Sequence, residues 1–235
     1  MLTFEKSPYR SLTPVKTCNR LVKTLMIPEC LPPDATWSCR AVNLSSKLFA
    51  MAGIPQKHDP GGKVRLAISP DVKSSPPVFG GPGDCYRYRL VRTWDETKPH
   101  AMFIMMNPST ADSEVNDRSV AKCERFARRW DYGGIYVGNT FAYRATDQNR
   151  LLEIRDPIGP DNDANIIEMA IAAAVVIFAY GKPKHLQLRS RGLTLARLLI
   201  EKANVKPHVL KLSKDGTPCH PLYLLKTLSP VEWKL

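Results

Sequence analysis

Four short segments carry the side chains of this 235-residue chain that could do chemistry together. Asn107-Pro108-Ser109-Thr110 follows the apolar run Ala101–Met106, and Asn139-Thr140-Phe141-Ala142-Tyr143-Arg144 follows Ile135–Gly138. Gly181-Lys182-Pro183-Lys184-His185 follows Val175–Tyr180, and Ser213–Cys219 leads from His208–Leu212 into His220-Pro221-Leu222-Tyr223. A carboxamide offers both a donor and an acceptor, an imidazole exchanges a proton near neutrality, and lysine and arginine hold anions. Taken singly each has an ordinary reading. Asn before Pro is a common turn former, Asn139 can bond its own loop, and His220 can be a satisfied core histidine. Gathered at one edge, they make a candidate site.

The intervening elements decide whether they gather. Tyr86–Trp94 alternates and reads as an antiparallel or edge strand. Ala101–Met106, Ile135–Gly138, Val175–Tyr180 and His208–Leu212 read as buried strands. Between them Asp117–Trp130 places Val120, Cys123, Phe126, Ala127 and Trp130 on one helical face. Asp161–Ala173 and Ser190–Ala203 are two further helices. Strand and helix in alternation predict an α/β three-layer sandwich on a central parallel four-stranded sheet. Ligands of such sheets bind beyond the carboxyl ends of the strands, where all four segments fall.

Composition divides the chain near residue 84. Residues 1–84 hold eleven of the 20 prolines and little periodic apolar pattern, with short apolar pieces at 21–27 and 48–54. They read as a basic N-terminal extension, ending in the linker or long loop Ser69–Asp84, that precedes an α/β domain over 85–235. The net charge of +12 favours a polyanionic partner, or marks only a basic solvated surface. No apolar run reaches the length of a membrane span, and no apolar stretch follows the opening MLTFEKSPYR, so neither a membrane partner nor secretion is expected and the expected place is the cytoplasm. The six cysteines, at 18, 30, 39, 85, 123 and 219, show no CxxC spacing, so reduced thiols and no metal are expected. GxxxxGK[ST], a GxGxxG after a strand, GxSxG, HExxH and the HxE…PCxxC pattern are all missing, which sets aside the chemistries they serve.

MNPST, YVGNTFAYRATD, VVIFAYG and GTPCHPLYLL resemble, in order and rough spacing over about 101–225, the motifs of the uracil-DNA glycosylase superfamily. There one strand ends in a GQDP-, GEAP- or GINP-like motif, a later strand ends in Asn, and a terminal motif begins His-Pro. The chain is similar, more closely and over 85–235, to a family of bacterial and phage domains with MNPSTAD, NxFAYRATDP and HPLYL motifs. The resemblance implies the glycosylase-like fold and a DNA glycosylase of monofunctional type, acting on a flipped base. It implies that Asn107 positions the attacking water, Asn139 reads the base, and His220 donates to the carbonyl oxygen of the leaving base. Breaking an N-glycosidic bond builds positive charge on the sugar and negative charge on the base, so a donor at that oxygen acts chiefly in the transition state. Such an enzyme takes its base out of the stack and holds distorted DNA.

Phosphate contacts are then expected from Lys182, Lys184, Arg189, Arg191, Ser109 and Thr110, with Arg144 serving either the pocket or the backbone. The aromatic that stacks on a flipped uracil has no counterpart in Ala111–Lys122. Phe141 or Tyr143 is expected to substitute. Asp112 and Asp117 occupy the stretch instead, as acceptors for a base or, for Asp117 equally, as a helix cap. That composition points past plain uracil, to a modified or damaged base such as a hypermodified phage pyrimidine, glucosylated hydroxymethylcytosine among them, whose excision would serve antiviral defence. The expected protein is a monomer with DNA as partner and no cofactor. Two other functions stay open at this point: a non-catalytic nucleic-acid-binding module of the same fold, and a hydrolase of free nucleosides or nucleotides.

Overall fold

The computed structural model describes residues 56–73 and 75–235; the apolar pieces at 21–27 and 48–54 and the cysteines at 18, 30 and 39 lie outside the described residues. The elements in chain order are β1 (Leu66–Ala67), β2 (Val78–Gly80), β3 (Tyr86–Thr93), β4 (His100–Met105), β5 (Val115–Asn116), α1 (Arg118–Arg129), β6 (Gly134–Asn139), α2 (Arg150–Glu153), α3 (Asn162–Ala172), β7 (Val175–Phe178), α4 (Ser190–Ala203), β8 (Pro207–Val209) and β9 (Val231–Glu232). The fold is mixed α/β.

The sheet has seven strands in the order β2-β3-β6-β4-β7-β8-β9. Its four inner strands, β6, β4, β7 and β8, are parallel, as expected. The four parallel strands and the edge strand at Tyr86–Trp94 account for five of the seven; β2 and β9 are additional. A β2–β3 hairpin extends one edge and β9 the other, each joined through an antiparallel pair. The alternating Tyr86–Trp94 segment had marked β3 as antiparallel, whereas β2 and β9, at three and two residues, are too short to show a period.

Continuous apolar runs form the inner strands because both of their faces are covered. Side chains alternate across a strand, so Ala101, Phe103 and Met105 of β4 meet Val120, Cys123, Phe126 and Ala127 of α1 on one face. Met102 and Ile104 meet Ile166 and Met169 of α3, and Leu195 and Leu199 of α4, on the other. α1 begins at Asp117, whose carboxylate accepts from the N–H groups of Ser119 and Val120 at 2.8 and 2.9 Å. This is the capping role anticipated for it. Removing the cap in Asp117→Ala is expected to cost about 1 kcal/mol, measured by chemical denaturation.

The described part of the N-terminal stretch is built into this domain. Residues 56–235 fall within one compact unit. β1 pairs with β5, the Thr110 hydroxyl donates to the Val64 carbonyl at 2.7 Å, and a His58 ring nitrogen lies 2.6 Å from the Arg144 carbonyl oxygen. The segment read as a linker contains β2, and its glycines make the β2–β3 turn, with Gly81 and Gly83 at φ 74° and 61°. Backbone pairing and close packing order this chain without any apolar period, so the shift in composition at residue 84 is no boundary among the described residues. No helix among the described residues is long and apolar enough to cross a membrane.

Candidate functional site

In chain order the parallel strands run second, first, third, fourth across the sheet. The connection that leaves β4 therefore runs to one side, through α1 to β6, and the one that leaves its neighbour β7 runs to the other, through α4 to β8. Such a reversal opens a crevice at the carboxyl ends of the strands. A cleft of about 690 Å³ lies there. Its lining comes from the segment after β4, the start of α1, the segment after β7, the hairpin after β8 and the 62–64 stretch. That volume accommodates a small molecule or a single nucleoside.

Asn107 lines the cleft two residues beyond β4. Its side-chain Nδ2 donates to the carbonyl oxygens of Ala145 and Pro108. Oδ1 is left as the free end, an acceptor with no protein partner among the described residues. His220 is carried back to the sheet edge by the bond from the Gly181 N–H to the Pro218 carbonyl, 3.0 Å. Gly181 stands at φ 71°, with room for its hydrogen only: a Cβ would meet that of His220 at 3.0 Å. The ring nitrogen Nδ1 accepts from the Leu222 N–H at 3.2 Å, at the start of the turn Pro221–Tyr223. Burial pushes the imidazole pKa below its ordinary value, with Asp117 opposing weakly, so the neutral ring is favoured. With Nδ1 accepting, the network assigns the proton to Nε2, a donor.

The third expected member sits behind the first two. Asn139, paired in register with Met105 at the end of β6, is buried and does not line the cleft. Its Oδ1 accepts from Nη2 of Arg87 at 3.2 Å, and its Nδ2 has no partner. Arg87, from β3, does line the cleft, although it is only 1% exposed. Desolvation lowers its pKa to about 10, against the opposing pull of Asp117. No carboxylate among the described residues stands within ion-pair distance of it.

The remaining expectations divide. Ser109, Thr110, Asp117 and Lys182 line the cleft with Asn107 and His220. The hydroxyl of Ser109 bonds that of Thr146 at 2.7 Å, and Lys182 pairs with Asp215 at 2.5 Å, which lowers the Asp215 carboxyl. Phe141 and Tyr143 are not brought to the cleft: both are buried in the core on the α3–α4 face, and Tyr143 packs edge-on to His58 and Tyr86. Asp112 closes a local turn by accepting from the N–H groups of Glu114 and Val115. Arg144 donates to the Asp84 carbonyl and lies over the Phe79 ring, holding the β2–β3 turn. Lys184 lies outside the cleft beside Asn149 and Arg150, and Arg189 donates to the Pro183 carbonyl. Arg191 is buried, bonded to Asp163 and to the Thr140 carbonyl. Its guanidinium joins α4 to α3 and does not line the cleft.

Sequence reasoning missed Arg87 and Tyr180 at the cleft. Arg87 sits in the alternating segment Tyr86–Trp94, where an arginine reads as the solvent side of an edge strand, so no local signal marked it. Tyr180 had been read only as the last residue of a buried strand. It lines the cleft, and burial pushes its hydroxyl up to about 12, so it stays protonated. Its ring rests on Gly192 of α4, where a Cβ would come within 2.2 Å of the ring. Gly192→Ala is therefore expected to displace Tyr180 and to cost about 1–3 kcal/mol, read as a lowered midpoint of denaturation. Lys63, Arg118 and Lys211 also line the cleft, without ion pairs among the described residues. These described residues hold no cluster of side chains fit for a metal ion.

A family model described as "Protein of unknown function (DUF1643)" matches residues 87–222. The chain belongs to that family. The searches of curated proteins and of solved structures each returned no match.

Proposed function

We propose that this DUF1643 member is a monofunctional DNA glycosylase that hydrolyses the N-glycosidic bond of a flipped modified or damaged base, in the manner of the uracil-DNA glycosylase superfamily its motifs resemble. The observation that carries the reading is the complementary pair at the cleft: the fixed acceptor Oδ1 of Asn107 and the fixed donor Nε2–H of His220. In the reaction the C1′–N bond breaks and its electron pair leaves with the base. The Nε2–H of His220 bonds the base oxygen on which that charge gathers. A water held by Oδ1 of Asn107 adds to C1′ and gives up a proton, and the base departs protonated. Asn107 need only orient the water, because the cationic sugar asks for little nucleophilic push. The neutral ring is the useful one here, since its donor costs no second ionisation. Lys63, Arg118 and Lys211 at the cleft are suited to the flanking phosphates. A hypermodified phage pyrimidine is the first base to try, with antiviral defence as its setting.

The test is base release. The protein is incubated with uracil-containing duplex and with phage DNA bearing unmodified, hydroxymethylated or glucosylated cytosine. Abasic sites are counted and the released base is identified by mass. Release from one DNA establishes the reaction and names the base. Binding that weakens steeply with salt, but without release from any DNA, sinks the catalytic reading and leaves a binding module.

A further inference from the structure

Arg87 is the buried charge of the cleft that the proposed reaction does not use. A guanidinium has five N–H donors. Two of these are engaged, by the Ala111 carbonyl at 2.8 Å and by Oδ1 of Asn139 at 3.2 Å. Nε–H has no partner, and neither has the NH₂ of Asn139 beside it. Both residues are 1% exposed, and Arg87 lines the cleft. Buried donors without partners are costly, and of these two residues Arg87 is the one that lines the cleft, so its remaining N–H groups are the ones an acceptor bound there would satisfy.

We infer that Arg87, positioned by Asn139, reads the far edge of the bound base, and that it selects an edge with two adjacent acceptors over the acceptor-beside-donor edge of uracil. The inference rests on the nucleic-acid reading of the cleft and deepens it. A uracil-type edge needs an acceptor next to a donor, which a free Asn amide supplies. Here Asn139 stands behind Arg87 with its oxygen already holding the guanidinium, so the cleft meets Arg87, which has N–H donors and no acceptor. Such a floor matches the O6/N7 edge of a guanine-type base or the O2/N3 side of a cytosine-type base. It also places a positive charge where the leaving group becomes negative. A phosphate would satisfy the same donors, so the test must separate the two sources.

The probes are single strands of abasic tetrahydrofuran units carrying one base, G, C or U, on a 2′-fluoro sugar that resists cleavage. An all-abasic strand and inorganic phosphate supply the phosphate arm. Affinities are measured for the full-length protein and for Asn139→Asp and Arg87→Gln. Asn139→Asp sets a carboxylate against Arg87 and neutralises it, so a purely structural Arg87 is held at least as well. The expected result is at least about tenfold tighter binding of the G or C strand than of the U or all-abasic strand. That preference disappears in Asn139→Asp while its melting temperature holds or rises. Three outcomes overturn the inference: equal affinity for the U strand, a preference that survives in Asn139→Asp, or an Arg87-dependent affinity fully reproduced by the all-abasic strand or phosphate. Loss of binding in Arg87→Gln counts in favour only if that variant still melts cooperatively. The inference and the glycosylase reading fail separately, since base selection can occur without turnover, and turnover without Arg87.

Discussion

Asn107→Ala is expected to lower base release at least about a hundredfold while leaving DNA affinity within a few-fold of the parent. Its amide nitrogen is engaged by carbonyls and Oδ1 is the end left to the cleft, so the substitution removes one acceptor and no cation from the lining. Asn107→Asp gives a sharper expectation. An aspartate is the stronger base, yet it cannot donate to the Ala145 and Pro108 carbonyls that fix the present amide. Two acceptors would then face a third, and the carboxylate would turn away or take up a proton. The variant should therefore fall below the wild type in single-turnover release and lose about 1–3 kcal/mol of stability. A faster Asn107→Asp enzyme would show that the orientation argument is wrong and that basicity limits the reaction.

His220→Ala should lower release by about 10²–10³-fold, the usual loss for one preorganised donor. Its pH dependence is the more specific sign. The folded ring has its pKa below the ordinary histidine value of 6.5, chiefly from burial. In the proposed reaction the neutral form is the working form, so the rate should be level from neutral pH upward and fall only as pH drops through that lowered value. Stability follows the same direction. Below about 6.5 the unfolded ring takes up a proton that the folded ring resists, so this group's contribution, complete above that pH, is lost as pH falls. Protonation would also convert Nδ1 from acceptor to donor against the Leu222 N–H. His220→Gln retains an N–H donor, so it should recover part of the rate and lose the acid limb. An acid limb that persists in His220→Gln belongs to another group.

Most of the inner sheet was legible because β4, β6 and β7 are covered on both faces and so are written as nearly continuous apolar runs, whereas the short β8 carries His208 within it. The same rule showed where those strands end, and with it the positions of Asn107 and His220. Phe141, Tyr143 and Arg144 were not legible as core residues. They follow Asn139 closely, and only the turn after β6, with the Thr140 and Phe141 N–H groups bonded to the Met105 and Met106 carbonyls, sends Phe141 and Tyr143 under the α3–α4 face and Arg144 to the β2–β3 turn. Arg191 looked like a phosphate ligand because a basic residue near a loop is normally solvated. The contact that buries it, Asp163, stands 28 residues away on another helix, beyond the reach of any local pattern. Arg87 was hidden for the opposite reason: arginine alternating in a strand reads as the wet side of an edge.

The stretch 62–64 supplies one wall of the cleft, held there by the β1–β5 pair and by the Thr110 bond to Val64. Gly62 lies against the Thr110 and Thr146 side chains so closely that a Cβ would come within 2.5 Å of one and 2.6 Å of the other. This wall lies outside the segment, 87–222, that the chain shares with its family. Asn107 and His220 lie inside it. The carboxyl edge of the sheet thus falls within the segment that matches the family, whereas part of the cleft's enclosure in this chain comes from residues before it. A different stretch at this place would enclose the cleft differently and so change the range of ligands admitted. A library exchanging residues 62–64 is the place to look for altered substrate range with the chemistry unchanged.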